Sequence, residues 1–431
     1  MTVIAFIIGV VLLVVGLAVS IALHEVGHLV PAKKFGVRVG QYMIGFGPTL
    51  WSRRFGETEY GFKAIPLGGY ISMAGMYPPS PGAEGRAGGG FFATMVQDAR
   101  AANDETLVAT GERRAFYELP VYQRVIVMLG GPVMNLLLAF VLFAIVFSGI
   151  GVQTATTTVA AVNECVLPAG TTQTTCDAGD PASPAAEGGI LPGDVLVSVD
   201  GADVATFADA SAIIQAAPGR TLEIVVERDG ETVPLRVTPM LAEREVEGAG
   251  GEVTTAEVGF VGMTASVEFV RQPIWAGPAS AVDQTGQVMG IIWQLPVKVY
   301  QTAVDLFTGQ DRDPNGPLSV VGAGRLAGEV AAIDAPILNR VSALLGLLGS
   351  LNIALFVFNL VPLLPLDGGH VVVALWDGLK RAWAKLFRRP PPKPVDATKL
   401  VPVTFVVVIG LIVMGGILIL ADVFNPVVLF G

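Results

Sequence analysis

The sequence predicts an α-helical polytopic membrane protein, with four transmembrane helices, a membrane-associated β-hairpin region on the cytoplasmic side and a small extracytoplasmic α+β domain. Three observations predict it. Of 431 residues, 52% are hydrophobic and 15% charged, with a mean hydropathy of +0.61, more apolar surface than one globular core buries. The excess is gathered into four charge-free or nearly charge-free runs, residues 3–23, 125–152, 341–366 and 400–421, each at or above the ~20 residues that cross a ~30 Å hydrocarbon layer. Charge is also unevenly placed: residues 151–340 hold 24 of the 37 acids and 9 of the 27 bases, a net −15 in a chain of −10.

Taken in order, residues 1–36 form the first transmembrane helix. A cleaved signal peptide is the alternative, but the run is too long for one, no A-x-A-like site follows, and a polar motif continues directly from it. Lys33, Lys34, Arg38, Arg113, Arg114, Arg124, Lys380, Arg381, Lys385, Lys393 and Lys399 crowd one side of the spans, against Arg325 and Arg340 on the other. By the positive-inside rule both termini are extracytoplasmic, the 29–124 and 367–399 loops are cytoplasmic, and the acidic loop is extracytoplasmic. No basic patch points to nucleic acid.

Residues 37–76 lean to β structure, punctuated by Gly45-Phe46-Gly47-Pro48 and Pro66-Leu67-Gly68-Gly69-Tyr70, which predicts hairpins. A cytoplasmic linker, 77–120, opens with a Pro/Gly-rich stretch to residue 90 that is expected to be disordered; a helix is possible over 91–119. Residues 121–153 are span two. Outside, 154–262 reads as a lead-in and a small α+β domain: strand 195–199, turn 200–201, helix 208–217, strands 222–227 and 233–237 about a turn at 229–230. Cys165 and Cys176, the only cysteines, lie in that loop and are open to either a disulfide or two free thiols. Residues 263–340 form an interfacial, amphipathic segment in which Pro273, Trp275, Trp293 and Tyr300 recur among apolar residues; a buried helix of the outer domain is the alternative. Span three is 341–370, a basic cytoplasmic loop is 371–399, and span four is 400–431.

All three histidines sit in two short motifs. His24 and His28, one helical turn apart on one face, can aim both imidazoles at one metal ion, with Glu25 placed to reach a water. Inside hydrocarbon such groups need a compensating ion or partner. Counted from Lys33, His24 lies about 13 Å and His28 about 8 Å within the membrane. Tetrahedral zinc then needs a third protein ligand. Span three ends in Asn359-Leu-Val-Pro362-Leu-Leu-Pro365-Leu-Asp367-Gly368-Gly369-His370, where two prolines place Asp367 on irregular backbone at matching depth; His370 is the alternative ligand. Asn135 and Asn359, both inside spans, either pack or contact an unwound substrate backbone.

These residues resemble the site-2 proteases, zinc metalloproteases that cleave within membranes. The resemblance rests on His24-Glu25-x-x-His28, Gly45-Phe46-Gly47-Pro48, Ile65-Pro66-Leu67-Gly68-Gly69-Tyr70, Gly131-Pro132-x-x-Asn135 and Asn359-x-x-Pro362-x-x-Pro365-x-Asp367-Gly368-Gly369. It is strongest to the bacterial branch that cleaves anti-sigma factors as the second cut of regulated intramembrane proteolysis. Gly188-Gly-Ile-Leu-Pro-Gly-Asp194 and the strand after it resemble the PDZ domains of bacterial envelope proteases. The resemblance implies Zn2+ on His24, His28 and Asp367 and Glu25 as general base. It implies substrate contacts at Asn135, Asn359, Gly68, Gly69 and Tyr70, and a single-span membrane protein as substrate, filtered by the PDZ-like domain. One PDZ-like domain and the added 77–118 segment depart from the well-known enterobacterial members. A silent scaffold that binds C-termini and a zinc transporter are the rival readings.

Overall fold

In the computed structural model the described residues are 2–79, 91–108, 113–166, 175–177, 179–247, 253–310, 312–313 and 316–427. Most of the stretch expected to be disordered, and much of the lead-in before residue 181, lies outside them. The chain divides into two compact units, residues 1–149 with 273–431, and residues 150–272.

The first unit opens with α1 (Thr2–Lys34), whose length follows from its unbroken apolar run. β1 (Val39–Phe55) and β2 (Thr58–Met73) form an antiparallel hairpin closed at Gly56. The hairpin is folded on itself, so residues 41–44 pair with 69–72 on one side and with 59–62 on the other. It docks on α1 through the Tyr42 hydroxyl, which donates to Ala22 O at 2.8 Å. Leu29, Val39, Tyr42, Met73, Phe116 and Val127 are among the side chains of the core beneath it. α2 (Phe91–Val108) lies within the expected linker. α3 (Val121–Ala144) continues as a π-helical turn to Ile150.

The second unit is a sheet of strand order β10-β3-β4-β6-β7, with β5 beside β4. It runs β3 (Val152–Val162), α4 (Pro184–Glu187), β4 (Val195–Val199), β5 (Ala202–Asp203), α5 (Phe207–Gln215), β6 (Leu222–Arg228) and β7 (Glu231–Val237). β8 (Met240–Glu247) and β9 (Val253–Phe260) form a separate hairpin, and β10 (Met263–Val270) pairs with β3. Strands, helix and both turns over 195–237 fall within a few residues of where the sequence places them. Asp200 and Asp229 take the left-handed backbone that Asp-Gly turns need. Thr206 caps α5, accepting from Asp209 N. Cys165 and Cys176 are joined by a disulfide.

The first unit resumes with α6 (Ala276–Thr308), α7 (Val320–Ala332), α8 (Ile337–Asn359), α9 (Asp367–Leu386) and α10 (Val401–Phe424). The helices at 3–34, 121–150, 337–359 and 397–424 are long and apolar enough to cross a membrane, and the protein is a membrane protein. Three boundaries differ from expectation. Residues 263–270 belong to the second unit's sheet, because their alternation pairs with β3. Span three stops at Asn359, where Pro362 and Pro365 interrupt helical bonding. Most of the expected 371–399 loop is α9, so Asp367 opens a helix and does not sit on irregular chain.

Candidate metal centre

His24 and His28 lie near the C-terminal end of α1, on one face, with ring centroids 4.8 Å apart. α3 crosses α1 here backbone to backbone: a Cβ on Gly130 would lie 2.0 Å from Gly27 O. Glycine at both positions permits that approach. The next residue faces the imidazoles, since a Cβ on Gly131 would lie 2.2 Å from Nε2 of His28 and 2.7 Å from Nε2 of His24. The crossing thus brings the helices together while leaving room at the two nitrogens.

Asp367 reaches the same point as the first residue of α9. Its Oδ2 lies 3.3 Å from His24 Nε2 and 3.4 Å from His28 Nε2, and the two nitrogens are 3.1 Å apart. Nδ1 of His28 donates to Val127 O at 2.7 Å, which leaves Nε2 as that ring's lone-pair atom. The buried Asp367 Oδ2 makes no hydrogen bond among the described residues. Acceptor atoms so placed repel one another unless a cation lies between them. A tetrahedral ion with bonds of about 2.0–2.1 Å holds its donors about 3.3 Å apart, which is the triangle seen. Among the described residues this is the one group of three His, Cys, Asp or Glu side chains close enough to share an ion.

Glu25 is 7% exposed and lines, with His24, His28 and Asp367, a cleft of about 290 Å³. Gly69 passes so close that a Cβ there would sit 3.1 Å from Glu25 Oε1. Tyr70 also lines the cleft, its hydroxyl donating to Gln41 Oε1 at 3.2 Å. Gly68 is packed behind the Phe46 ring and is absent from the cleft wall. Asn359 borders the cleft and donates to Leu355 O. Asn135 is 1% exposed and sits on the other nitrogen of His24, 3.3 Å from Nδ1. His370 borders the cleft and stacks on Tyr77, outside the donor triangle.

Two contributors escape a reading by motif. Asn103 of α2 holds the Tyr77 backbone at both ends, accepting from its N–H and donating to its carbonyl, each at 3.0 Å. That fixes the chain just after Met76, a cleft residue. Asn352 donates to Ser20 Oγ at 2.9 Å, joining α8 to α1 one turn before His24. An amide inside an apolar run was the available signal for Asn352. Asn103, in a polar stretch, carried none.

Two histidines and an aspartate placed to share one ion, with a glutamate beside them, are side chains of the kind a metallopeptidase uses. The chain belongs to peptidase family M50, whose profile matches residues 12–389, and it is a zinc metalloprotease of the site-2 protease family. It is 34% identical to zinc metalloprotease Rip1 of Mycobacterium tuberculosis over 434 residues, 99% of both chains. It is also 34% identical to zinc metalloprotease Rip1 of Mycolicibacterium smegmatis over 98% of this chain and 99% of that one. To metalloprotease MmpA of Caulobacter vibrioides it is 29% identical over 88% of each.

Proposed function

We propose that this metalloprotease cuts a peptide bond within the transmembrane segment of a single-span membrane protein, an anti-sigma factor, as the second cut of regulated intramembrane proteolysis. The observation that carries the reading is the placement of the donor triangle. His24 and His28 lie within an apolar helix long enough to span a membrane, Asp367 reaches them from the start of α9, and Gly69 of β2 passes directly beside Glu25. Among the described strands, residues 69–72 are paired on one side only, which leaves an edge for an extended substrate.

His24, His28 and Asp367 hold the zinc, which when bound supplies Lewis-acid polarisation and acidifies water at neutral pH. Glu25 takes the proton of the attacking water and passes it to the leaving amine. Helical substrate hides its amides, so the segment must unwind, and pairing with residues 69–72 then satisfies the freed N–H and C=O groups in a dry site. Gly69 and Tyr70 set the register of that pairing beside Glu25. Asn359 meets the substrate backbone from the opposite wall, and Gly68 shapes the turn behind the edge.

The active site lies towards the cytoplasmic face and both termini are outside, a reading supported by the Lys and Arg distribution. The second unit is a PDZ-like filter that admits substrates whose outer domains are already shortened; the strand and helix order over 195–237 supports it.

The test compares membrane proteomes of cells carrying the wild-type and the Glu25→Gln chain under envelope stress. Truncated single-span proteins accumulate only with Glu25→Gln. Absence of such stubs under conditions that produce the first cut would leave a scaffold as the better account.

A further inference from the structure

α9 has two opposite faces, and the protein uses one of them. Ala374, Asp377 and Ala384 are buried, with Asp377 paired to Arg124 at 3.0 Å. Half a turn away, Val372, Leu375, Trp376, Leu379, Trp383 and Leu386 are each 47–75% exposed. Their spacing follows a single helix face. Water does not favour such a stripe, and the helix cannot carry it far from the bilayer. α8 ends at Asn359, only residues 360–366 before α9, and α10 begins at Val401.

Charge identifies what covers the stripe. Residues 367–399 hold seven Lys and Arg against Asp367, Asp377 and Asp396. All three acids are committed: Asp367 to the histidines, Asp377 to Arg124 and, at 3.4 Å, to Lys380, and Asp396 to Arg100 at 2.6 Å. The field presented outward is therefore cationic. Trp376, Trp383, Lys380 and Arg389, with Pro390 and Pro392, line a groove of about 530 Å³. It combines an apolar floor with ammonium and guanidinium groups at its rim.

We propose that α9 lies in the headgroup layer of the leaflet where α8 ends, and that its Trp–Lys–Arg groove binds anionic phospholipid. Asp367 is the first residue of this helix, so the lipid that seats α9 also holds the third metal ligand in place.

The test uses the full chain in vesicles, with Trp51→Phe, Trp275→Phe and Trp293→Phe leaving Trp376 and Trp383 as the only tryptophans. Fluorescence is measured with a minor fraction of brominated phosphatidylglycerol, or of brominated phosphatidylcholine, in phosphatidylcholine. The expected result is quenching at least about twofold stronger with the anionic bromolipid, because cationic residues near the surface enrich it locally. Replacing Arg381, Lys385, Arg388 and Arg389 with Gln removes that difference and keeps the quenching common to both lipids. Equal quenching by both lipids in the parent chain overturns the proposal. So does quenching by aqueous iodide with none from either bromolipid, which would place the face in water. Native mass spectrometry of the chain with all its tryptophans gives a second readout: retained phosphatidylglycerol is expected, and its loss is expected on the fourfold Gln replacement. Neither measurement needs zinc or proteolysis, so the outcome is independent of the catalytic reading.

Discussion

At His24 the hydrogen-bond chemistry constrains a side chain that the sequence assigned elsewhere. With Nε2 on zinc, Nδ1 carries the proton and must donate, so the Asn135 group facing it has to be the amide oxygen. The amide nitrogen lies 3.3 Å from His24 Nδ1, and the buried Oδ1 has no hydrogen-bond partner among the described residues. Turning the amide over gives the His24 Nδ1–H its acceptor. Asn135 is then a positioning residue that fixes the tautomer and tilt of a ligand. Asn135→Leu should weaken zinc binding by about 10–100-fold, whereas Asn135→Asp, still an acceptor, should stay near wild type in a competition titration with a chelator. Equal loss in both variants would remove Asn135 from this role. Gly131→Ala tests the clearance beside the nitrogens: the new methyl would press on His28 Nε2, so zinc content should fall while helicity by circular dichroism is unchanged.

Among the elements, what the sequence revealed and what it hid have different physical causes. The spans are legible because a bilayer demands some 20 apolar residues in a row, and the 195–237 strands are legible because Asp-Gly turns mark their ends. α9 was hidden because charges interrupt its apolar spacing, so 371–399 reads as a basic loop until the Arg124–Asp377 pair shows which side faces inward. The folding of the β1–β2 hairpin on itself is also invisible in sequence, since residues 41–44 gain their second neighbour only by tertiary closure. The hold of α2 on Tyr77 predicts that Asn103→Leu exposes the Tyr77 amide. Its hydrogen exchange should quicken by about tenfold or more, the consequence of losing a buried acceptor worth ~1–3 kcal/mol. In the second unit, hydrogen bonds from Arg228 to Asp194, at 2.7 and 2.8 Å, hold that carboxyl below the usual range, with Leu191 N–H adding to them. Its folded value lies below its unfolded one, so the stabilisation is complete above about pH 4 and is lost as pH falls through the lowered value. Hydrogen exchange of residues 189–228 should rise on acidification in the wild type, and Asp194→Asn should flatten that response.

For the molecule as a whole, the membrane-spanning unit is closed by polar pairs that the apolar runs alone would not suggest. Asp422, near the end of α10, is paired with Arg312 and accepts from Ser319 N at 2.7 Å and Gly322 N at 3.1 Å, capping α7. Asp422→Ala leaves a buried guanidinium unpaired and should cost about 3–5 kcal/mol, seen as a lowered melting temperature in detergent, with zinc still bound to the folded fraction. The histidine pair was readable from spacing, and Asp367 was named as its partner, but on irregular chain and not at the start of the helix that presents it. Which asparagine lies beside His24 and which lines the cleft was not readable, because that depends on how α3 and α8 turn against α1.

The central claim is that His24, His28 and Asp367 together hold one zinc while Glu25 acts on water beside it. Metal analysis of the purified full chain addresses it directly, with wild type, Glu25→Gln and Asp367→Ala measured alongside cleavage of a single-span substrate. The account predicts about one zinc per chain in wild type and Glu25→Gln, cleavage in wild type alone, and loss of most zinc in Asp367→Ala, since two imidazoles are an incomplete site. Full zinc occupancy in Asp367→Ala, or undiminished cleavage by Glu25→Gln, would contradict it.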